Sequence, residues 1–590
     1  MNFKLIEKPN EITEACQHLS ASPVIGYDVE TTDLDPMLGR LRLVQLSDGK
    51  TTYILDLDPF NKKGSTRTAP ELQPLRDLLT GPVTKVIHNA KFDCKWTSYC
   101  LGVEITNLFC TMLNSQILAC GKSDRAHNLA AAAYHFLGTV VDKTEQTSDW
   151  SAARLERSQL EYAAKDVLIL PALYDAQVER LTELDLLEVS RLENDAVPAV
   201  VDMELTGIYL NDQVWRDYLV TVEAEHKRLA DVLQRELVDP NGPLHLFDRA
   251  DINLGSTQQV HNALTSMGIP VPDSTEAWRL EPLVAEYPVI GTLLEYRGVD
   301  KILTSFGESI LKMVHPVTGR LHPDFRQLGA LTTGRFSCSN PNFQQWPSDG
   351  ISRGAVQAAP GKRLVIADYS QIELRILADR CQDPTFVEAF RTGRDFHLQT
   401  AAQVNNIPME KVTDEQRSFA KRLNFGIVYG VTPYKFSIMT GTTKEEAEDT
   451  MAKYFDQLPG LGRYVRDSGR ISVCKRECRT ASGRVLHLHF DEKRQGSVNS
   501  AMRNGVNMPI QGTSADILKR ALKLIHDSNK GTSAHLVNIV HDEVLLECDE
   551  HEAEQTARRL EDMMIAAGKE YVKTIDIKVD AVVAKEWRKK

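Results

Sequence analysis

Apolar runs of strand type that lead to carboxylates, directly or through the first turns of a following helix, occur four times in this 590-residue chain. They are PVIGYDVE (23–30), KVIHNAKFD (85–93), KRLVIADY (362–369) and HLVNIVHDE (535–543). Acidic residues are depleted from strands, so a chain that repeatedly ends strands on them is delivering them to a site. The runs form two widely separated pairs. Two independent acid-bearing sheets are therefore expected.

In the first pair, Asp28 and Glu30 are two residues apart and share one face of a strand. The alternation in GRLRLVQLSDGKTTYILDL (39–57) predicts further strands of a β-meander. Asp93 falls in the first turns of a helix. Downstream, LERSQLEYAAKDVLILPALY (155–174) is helical, with Tyr162 and Asp166 at i and i+4 on one face. Each feature alone suits a surface strand or an ordinary helix. In this order they suit a platform of oxygen ligands for divalent cations.

In the second pair, an apolar strand ends at Asp368, with Glu373 and Arg375 in the helix that follows, and two strands flank His541, Asp542 and Glu543 as a hairpin with acids at its tip. Between them lies RSFAKRLNFGIVYG (417–430). Arg417, Lys421, Phe425 and Tyr429 recur every four residues and form a slanted stripe on a helix, while Phe419, Ala420, Leu423, Ile427 and Val428 face a core. Two cations followed by two rings beside paired acids suit a nucleoside triphosphate: cations for the outer phosphates, a ring for the base.

At 42% hydrophobic and 25% charged residues, the chain reads as globular, with roughly three to five domains by length. No apolar stretch has the length of a membrane span. The net charge of −12 argues against coating nucleic acid by bulk charge but leaves room for a local cationic groove. The ten cysteines form no CxxC pair, and Cys474, Cys478, His487 and His489 have no common zinc spacing, so reduced thiols are expected. NKKGSTRTAP (61–70) reads as an exposed loop.

The blocks Asp-x-Glu, Asp and Tyr-x-x-x-Asp resemble the DEDD 3′–5′ exonucleases, in the variant with tyrosine in its third block. The resemblance covers about 1–190 and implies a ribonuclease H-like α/β domain. Asp28, Glu30, Asp93 and Asp166 would hold two magnesium ions, with Tyr162 orienting the attacking water. The remainder resembles family A DNA polymerases, the bacterial DNA polymerase one type. Its signatures are LTTGRFSCSNPNFQQWP (331–347), KRLVIADYSQIELRILA (362–378), the stripe, RNGVNMPIQGTSADILKRAL (503–522) and HLVNIVHDEVLLECD (535–549). This implies an α+β right-hand fold over 191–590: thumb about 191–330, palm about 331–380 and 480–590, fingers about 381–480.

The resemblance implies the following roles. Asp368, Asp542 and the Tyr369 carbonyl hold two further magnesium ions, with manganese able to substitute, and Glu543 is a nearby acid. Arg417, Lys421 and His397 contact the triphosphate, and Lys421 protonates the leaving pyrophosphate. Phe425 packs on base and sugar. Tyr429 lies beside the templating position and, with Glu373, guards the sugar's 2′ side; Gln371 belongs to the same nucleotide pocket. Arg335, Asn342, Gln344, Arg503, Asn507, Gln511 and His541 line the primer–template, and Arg353 is a further primer-side arginine. The expected partners are primer–template DNA and deoxynucleoside triphosphates, with no membrane, for a monomer in a bacterial or phage-infected cytoplasm or an organelle.

There are departures. QQWP (344–347) stands where the family has Gln-Asn-Ile-Pro, which leaves the template contacts there open. No 5′ nuclease is expected ahead of the exonuclease, and 240–275 has no room for a long thumb insertion. The alternative function is a 3′–5′ exonuclease whose C-terminal part only binds nucleic acid. A binder has no use for paired acids that repel each other.

Overall fold

Six strands carry the first acid pair. They are β1 (Phe3–Ile6), β2 (Val24–Thr31), β3 (Leu41–Ser47), β4 (Thr52–Asp56), β5 (Thr84–Ile87) and β6 (Leu108–Cys110), hydrogen-bonded in the order β1-β4-β3-β2-β5-β6. β2, β3 and β4 form the antiparallel meander read from their alternation, and β1, β5 and β6 join in parallel. This computed structural model describes residues 3–61, 66–122, 125–141, 148–237, 252–272, 274–428 and 430–588. Part of the expected 61–70 loop, all of 240–251, and Tyr429 lie outside the described residues.

Helices Pro9–Ser20, Gln73–Thr80 and Ala90–Leu101 pack their apolar faces on this sheet, around Leu19, Tyr27, Leu75, Val86 and Trp96. Beyond it the helix Leu187–Thr206 runs between the two acid-bearing sheets, with residues in both large cores. Helices Asp212–Glu236, Thr257–Ser266 and Pro288–Phe306 close a smaller core of their own around Leu233, Val260 and Leu293.

The hairpin β7 (Asp324–Ala330) and β8 (Arg335–Ser339) leads to β9 (Lys362–Tyr369). A run of helices from Ile372 to Lys475 follows, then the short pair β10 (Glu477–Arg479) and β11 (Val485–His487), and the long helix Gln495–Asn529. β12 (His535–Val540), β13 (Glu543–Asp549) and β14 (Val579–Ala584) complete a four-stranded antiparallel sheet in the order β12-β13-β9-β14. Its apolar residues Val365, Ala367, Leu545 and Ile539 are fully buried in the largest core. All ten cysteines are unpaired, and seven are buried: Cys16, Cys94, Cys110, Cys120, Cys338, Cys478 and Cys548. Among the described residues, no helix is long and apolar enough to cross a membrane.

Two candidate active sites

The first site is built on β2. Gly26, Asp28 and Glu30 share one face of the strand. A methyl group at Gly26 would lie 2.5 Å from the Val167 carbonyl oxygen. The missing side chain therefore lets the helix Arg157–Leu168 lie directly on the strand, bringing Tyr162 and Asp166 with it. Asp93 arrives on the helix Ala90–Leu101 and accepts a hydrogen bond from the Val29 N–H at 3.1 Å. The acids feel one another. Burial, then Asp28, Asp166 and Asp93, hold the Glu30 carboxyl well above the usual carboxylate range. Burial and then Asp28 do the same to Asp93. Burial and the Asp166 carboxylate, with which it hydrogen-bonds, push the Tyr162 phenol up, so it stays a neutral donor. All five residues expected here are brought together.

The second site follows from strand register. Asp368, near the end of β9, pairs with Glu543 on β13. Val540 pairs with Glu543, so His541 and Asp542 form the two-residue tip of the hairpin, with His541 in the left-handed region at φ 59°. Asp542 is thereby set beside Asp368. Its carboxyl is pushed up to about 7, first by burial and then by Asp368, with smaller effects of Glu373 and Glu543. One cavity of about 440 Å³ is lined by Asp368, Tyr369, Asp542, His541, Gln371, Glu373, Arg335, Gln344 and Phe425, with residues of the long helix closing it.

The stripe is a helix, Asp414–Val428. Ala420, Leu423 and Ile427 are buried and Phe419 is partly buried, as the core reading requires. Lys421 is exposed, and Phe425 reaches the cavity. Arg417 donates from Nε to Asp395 at 2.7 Å, and Asp395 also caps the helix Phe396–Asn405. His397 on that helix is 3% exposed. Burial, and to a lesser degree Arg417 and Lys421, push its imidazole down to about 4, against the pull of Asp395, so it is neutral at pH 7. It lies beneath the stripe, its ring 5.6 Å from that of Phe425 and its Nδ1 2.9 Å from Asn424. Asn424 is a buried polar residue inside the apolar face; it holds His397, Thr400 and Tyr454 together.

Residues 223–589 match the family "DNA polymerase family A", and residues 3–182 match "3'-5' exonuclease". The chain belongs to DNA polymerase family A. It is 32% identical to DNA polymerase I of Aquifex aeolicus over the full length of both chains. It is 29% and 28% identical to DNA polymerase I of Chloroflexus aurantiacus and Pseudomonas aeruginosa, covering 99% and 96% of this chain but only 63% and 64% of theirs. The fold is that of the POL domain of Pol1 from M. smegmatis, solved in complex with DNA primer-template and dNTP, at a TM-score of 0.83 and 24% identity over 99% of each chain. This family A polymerase is thus a DNA-directed DNA polymerase with 3′–5′ exonuclease activity.

Both kinds of domain depend on divalent metal. Among the described residues, no three His, Cys, Asp or Glu side chains converge closely enough to hold an ion by themselves. The donor sets are all oxygen, and the raised carboxyls are groups whose mutual repulsion a cation relieves.

Asn342 and Asn507, expected along the DNA, and Gln371, expected in the nucleotide pocket, each bury a side-chain oxygen that finds no partner among the described residues. Arg503, Asn507 and Gln511 stand at i, i+4 and i+8 on one face of the long helix, each partly exposed. The Arg335 guanidinium pairs with Glu373. Arg353 is not on the groove surface. It is buried, 3.4 Å from Glu543, with its guanidinium 4.1 Å from the centre of the Trp587 ring. Trp587 donates from Nε1 to Glu543 at 2.5 Å. Sequence reasoning missed Trp587, and also Asp580, which pairs with Asp368 across β14; an acid in the apolar run VDAVVA was the available signal. The tryptophan of QQWP lies in the core. Trp346 packs against Phe343, Trp215 and Phe306 at 4.6, 4.7 and 5.2 Å, and only Gln344 of that motif reaches the cavity.

Proposed function

We propose that residues 191–590 extend a DNA primer on its template and that residues 1–190 trim mismatched primer ends, each site with two magnesium ions. The thumb is assigned to about 191–330, the palm to about 331–380 and 480–590, and the fingers to about 381–480. The observation that carries the reading is the meeting of Asp368, Asp542 and Phe425 in one cavity at the end of the cationic stripe. When bound, the ions would neutralise the triphosphate and the attacking oxygen. Asp368, Asp542 and the Tyr369 carbonyl would hold them. An Asp542 carboxyl near 7 means that ion binding there displaces a proton.

Arg417 and Lys421 bind the outer phosphates, and Lys421 gives a proton to the leaving pyrophosphate. Phe425 stacks on the incoming nucleotide over neutral His397; expected to contact the triphosphate, His397 is 3% exposed and is assigned instead a role through the ring above it. Glu373, fixed by Arg335, walls the 2′ side of the sugar. Tyr429 is assigned the templating side. Asn342, Gln344, Arg503, Asn507, Gln511 and His541 track the duplex through phosphate, sugar and minor-groove edges, which carry little sequence information. In the trimming site, Asp28, Glu30, Asp93 and Asp166 hold the ions, and Tyr162 orients water. The chain acts as a monomer in the cytoplasm of its cell.

One assay tests both activities. A labelled primer with a mismatched 3′ end is incubated with template and magnesium, with and without deoxynucleotides. Shortening alone, then shortening followed by extension, is the expected outcome; extension without shortening, or shortening without extension, removes one half of the proposal.

A further inference from the structure

Asp93 stands midway between two lysines, Lys91 and Lys95, on the helix Ala90–Leu101. At about 100° per residue, Lys91 and Lys95 share one face and Asp93 points to the opposite one. On the Asp93 face lies β2 with the other acids. On the lysine face lies the polymerase half of the molecule. Lys91 donates from Nζ to Glu204 at 2.7 Å and to the Phe325 carbonyl at 2.8 Å, and it pairs with Asp324. The Lys95 ammonium lies against the other Glu204 oxygen. Glu204 also accepts the Phe325 N–H at 2.8 Å and is 2% exposed. Glu204 sits in the last turn of the helix Leu187–Thr206, and Asp324 and Phe325 open β7. None of these three partners belongs to either set of site residues.

We infer that Glu204, through Lys91 and Lys95, is a positioning residue of the exonuclease site, so that this site is completed from the polymerase half of the chain. The inference rests on the trimming site assigned above. The physical reason is leverage. The helix is tied to its own sheet by the Val29 N–H to Asp93, by the Tyr27 and Thr97 hydroxyls at 2.6 Å, and by the Ala90 N–H to the Cys110 sulfur at 3.4 Å. On its other face a buried carboxylate takes two ammonium groups, and buried charges hold geometry only while they are paired. Loosening that face lets the helix roll, and a roll displaces Asp93 from Asp28 and Glu30. A shift of about 1 Å in a reacting site can lower the rate by roughly a hundredfold. The polymerase acids sit on a different sheet and do not depend on this helix.

The test uses the full chain with Glu204→Gln and, separately, Lys91→Met and Lys91→Arg. Trimming of a single-stranded oligonucleotide is followed in single turnover across a magnesium titration, beside primer extension and thermal midpoint. The expected result for Glu204→Gln and Lys91→Met is a trimming rate roughly 10- to 100-fold lower. The magnesium concentration for half-maximal trimming should rise, and extension should stay within about twofold of wild type. Lys91→Arg, which keeps the cation, should recover most of the rate. Wild-type trimming and magnesium dependence in Glu204→Gln overturn the inference. So do parallel losses of trimming and extension with a lowered midpoint, which mark general destabilisation. If Glu204→Gln does not fold, Lys95→Met decides, because it leaves Glu204 paired to Lys91 and Phe325. Absence of trimming in the wild type instead refutes the site assignment on which the inference stands.

Discussion

Asp93 and Asp166 are 2% and 7% exposed, whereas Asp368 stands exposed near the end of β9. The two sites also differ in how their acids are brought together. Asp368 and Asp542 are neighbours because β9 and β13 are hydrogen-bonded in one register, and a slip by one residue would turn every side chain of the strand to the wrong face. The exonuclease acids come from one strand and two helices, and the helices are set against the strand by packing and a few side-chain hydrogen bonds, not by a backbone ladder. A site fixed by register tolerates changes in packing around it. A site fixed by docking does not.

The largest effects should separate the sites outright. Asp542→Asn should lower extension by about a thousandfold or more, since it removes several kcal/mol of charge stabilisation at the metal, and leave trimming of single strands unchanged. Asp28→Ala with Glu30→Ala should do the reverse. Loss of both activities in either variant, with the fold intact, would break the comparison.

Gly26→Ala probes docking itself. The new methyl meets the Val167 carbonyl, a backbone atom that cannot swing aside, at 2.5 Å. The helix Arg157–Leu168 must lift, and Tyr162 and Asp166 lift with it. Trimming should fall by roughly a hundredfold while extension is retained. An equivalent insult on the palm sheet should be milder: Val544→Ala, in a fully buried position of β13, removes packing but no register. Its extension rate at 25 °C should stay within about threefold of wild type, although stability drops by about 1–2.5 kcal/mol.

Much of this was legible in the sequence because it is periodic or local. Strand runs ending on acids gave both sheets, and four-residue steps gave the stripe helix. What escaped depended on pairing across long separations. Asp580 is opposite Asp368 only once β14 is known to lie beside β9. Trp587 reaches Glu543, and Arg353 turns inward, because the chain end returns under the hairpin tip. The place of the tryptophan in QQWP was left open by the motif; an indole with three aromatic neighbours is favourably buried. Asn424 was hidden because a polar residue on an apolar face shows its partners only in three dimensions.

Phe425 tests the chemistry of the exposed site. A deoxynucleotide has a 3′-hydroxyl that can hydrogen-bond within its own triphosphate, and a dideoxynucleotide leaves that phosphate oxygen poorly satisfied. Such an unmade bond costs about 1–3 kcal/mol, roughly ten- to a hundredfold in rate. Phenylalanine offers no donor, whereas a tyrosine hydroxyl would. Strong selection against dideoxynucleotides is therefore expected, with Phe425→Tyr largely abolishing it. The measurement is the ratio of incorporation efficiencies with the exonuclease disabled. Equal acceptance by the wild type would remove Phe425 from the sugar.

The smallest effect compares two buried lysines, one in each half. Lys519 joins Glu193 and the Gly334 carbonyl, the latter at 2.6 Å, in a cluster with Arg484 and Asp516. Lys85 in β5 is as buried but, among the described residues, donates only to the Gly81 carbonyl, at 2.8 Å. Burial pushes both ammonium groups down to about 8. Lys519→Met strands Glu193 beside fewer cations and should destabilise. Lys85→Met strands nothing, because Thr106 and Asn107 also donate to Gly81, at 3.1 and 3.3 Å. At pH 7 the folded chain bears the cost of a buried ammonium at position 85, so the methionine variant should be more stable by about 1–2 kcal/mol. The sign with pH follows from the depressed value. Between about 8 and 10.5 the unfolded chain keeps a proton that the folded chain has lost, so wild-type stability rises with pH across that window. The advantage of Lys85→Met should therefore shrink from pH 7 to pH 10, read as the thermal midpoint of the transition that abolishes trimming. An advantage that grows with pH would mean that the ammonium at position 85 is better solvated in the fold than its single carbonyl partner implies.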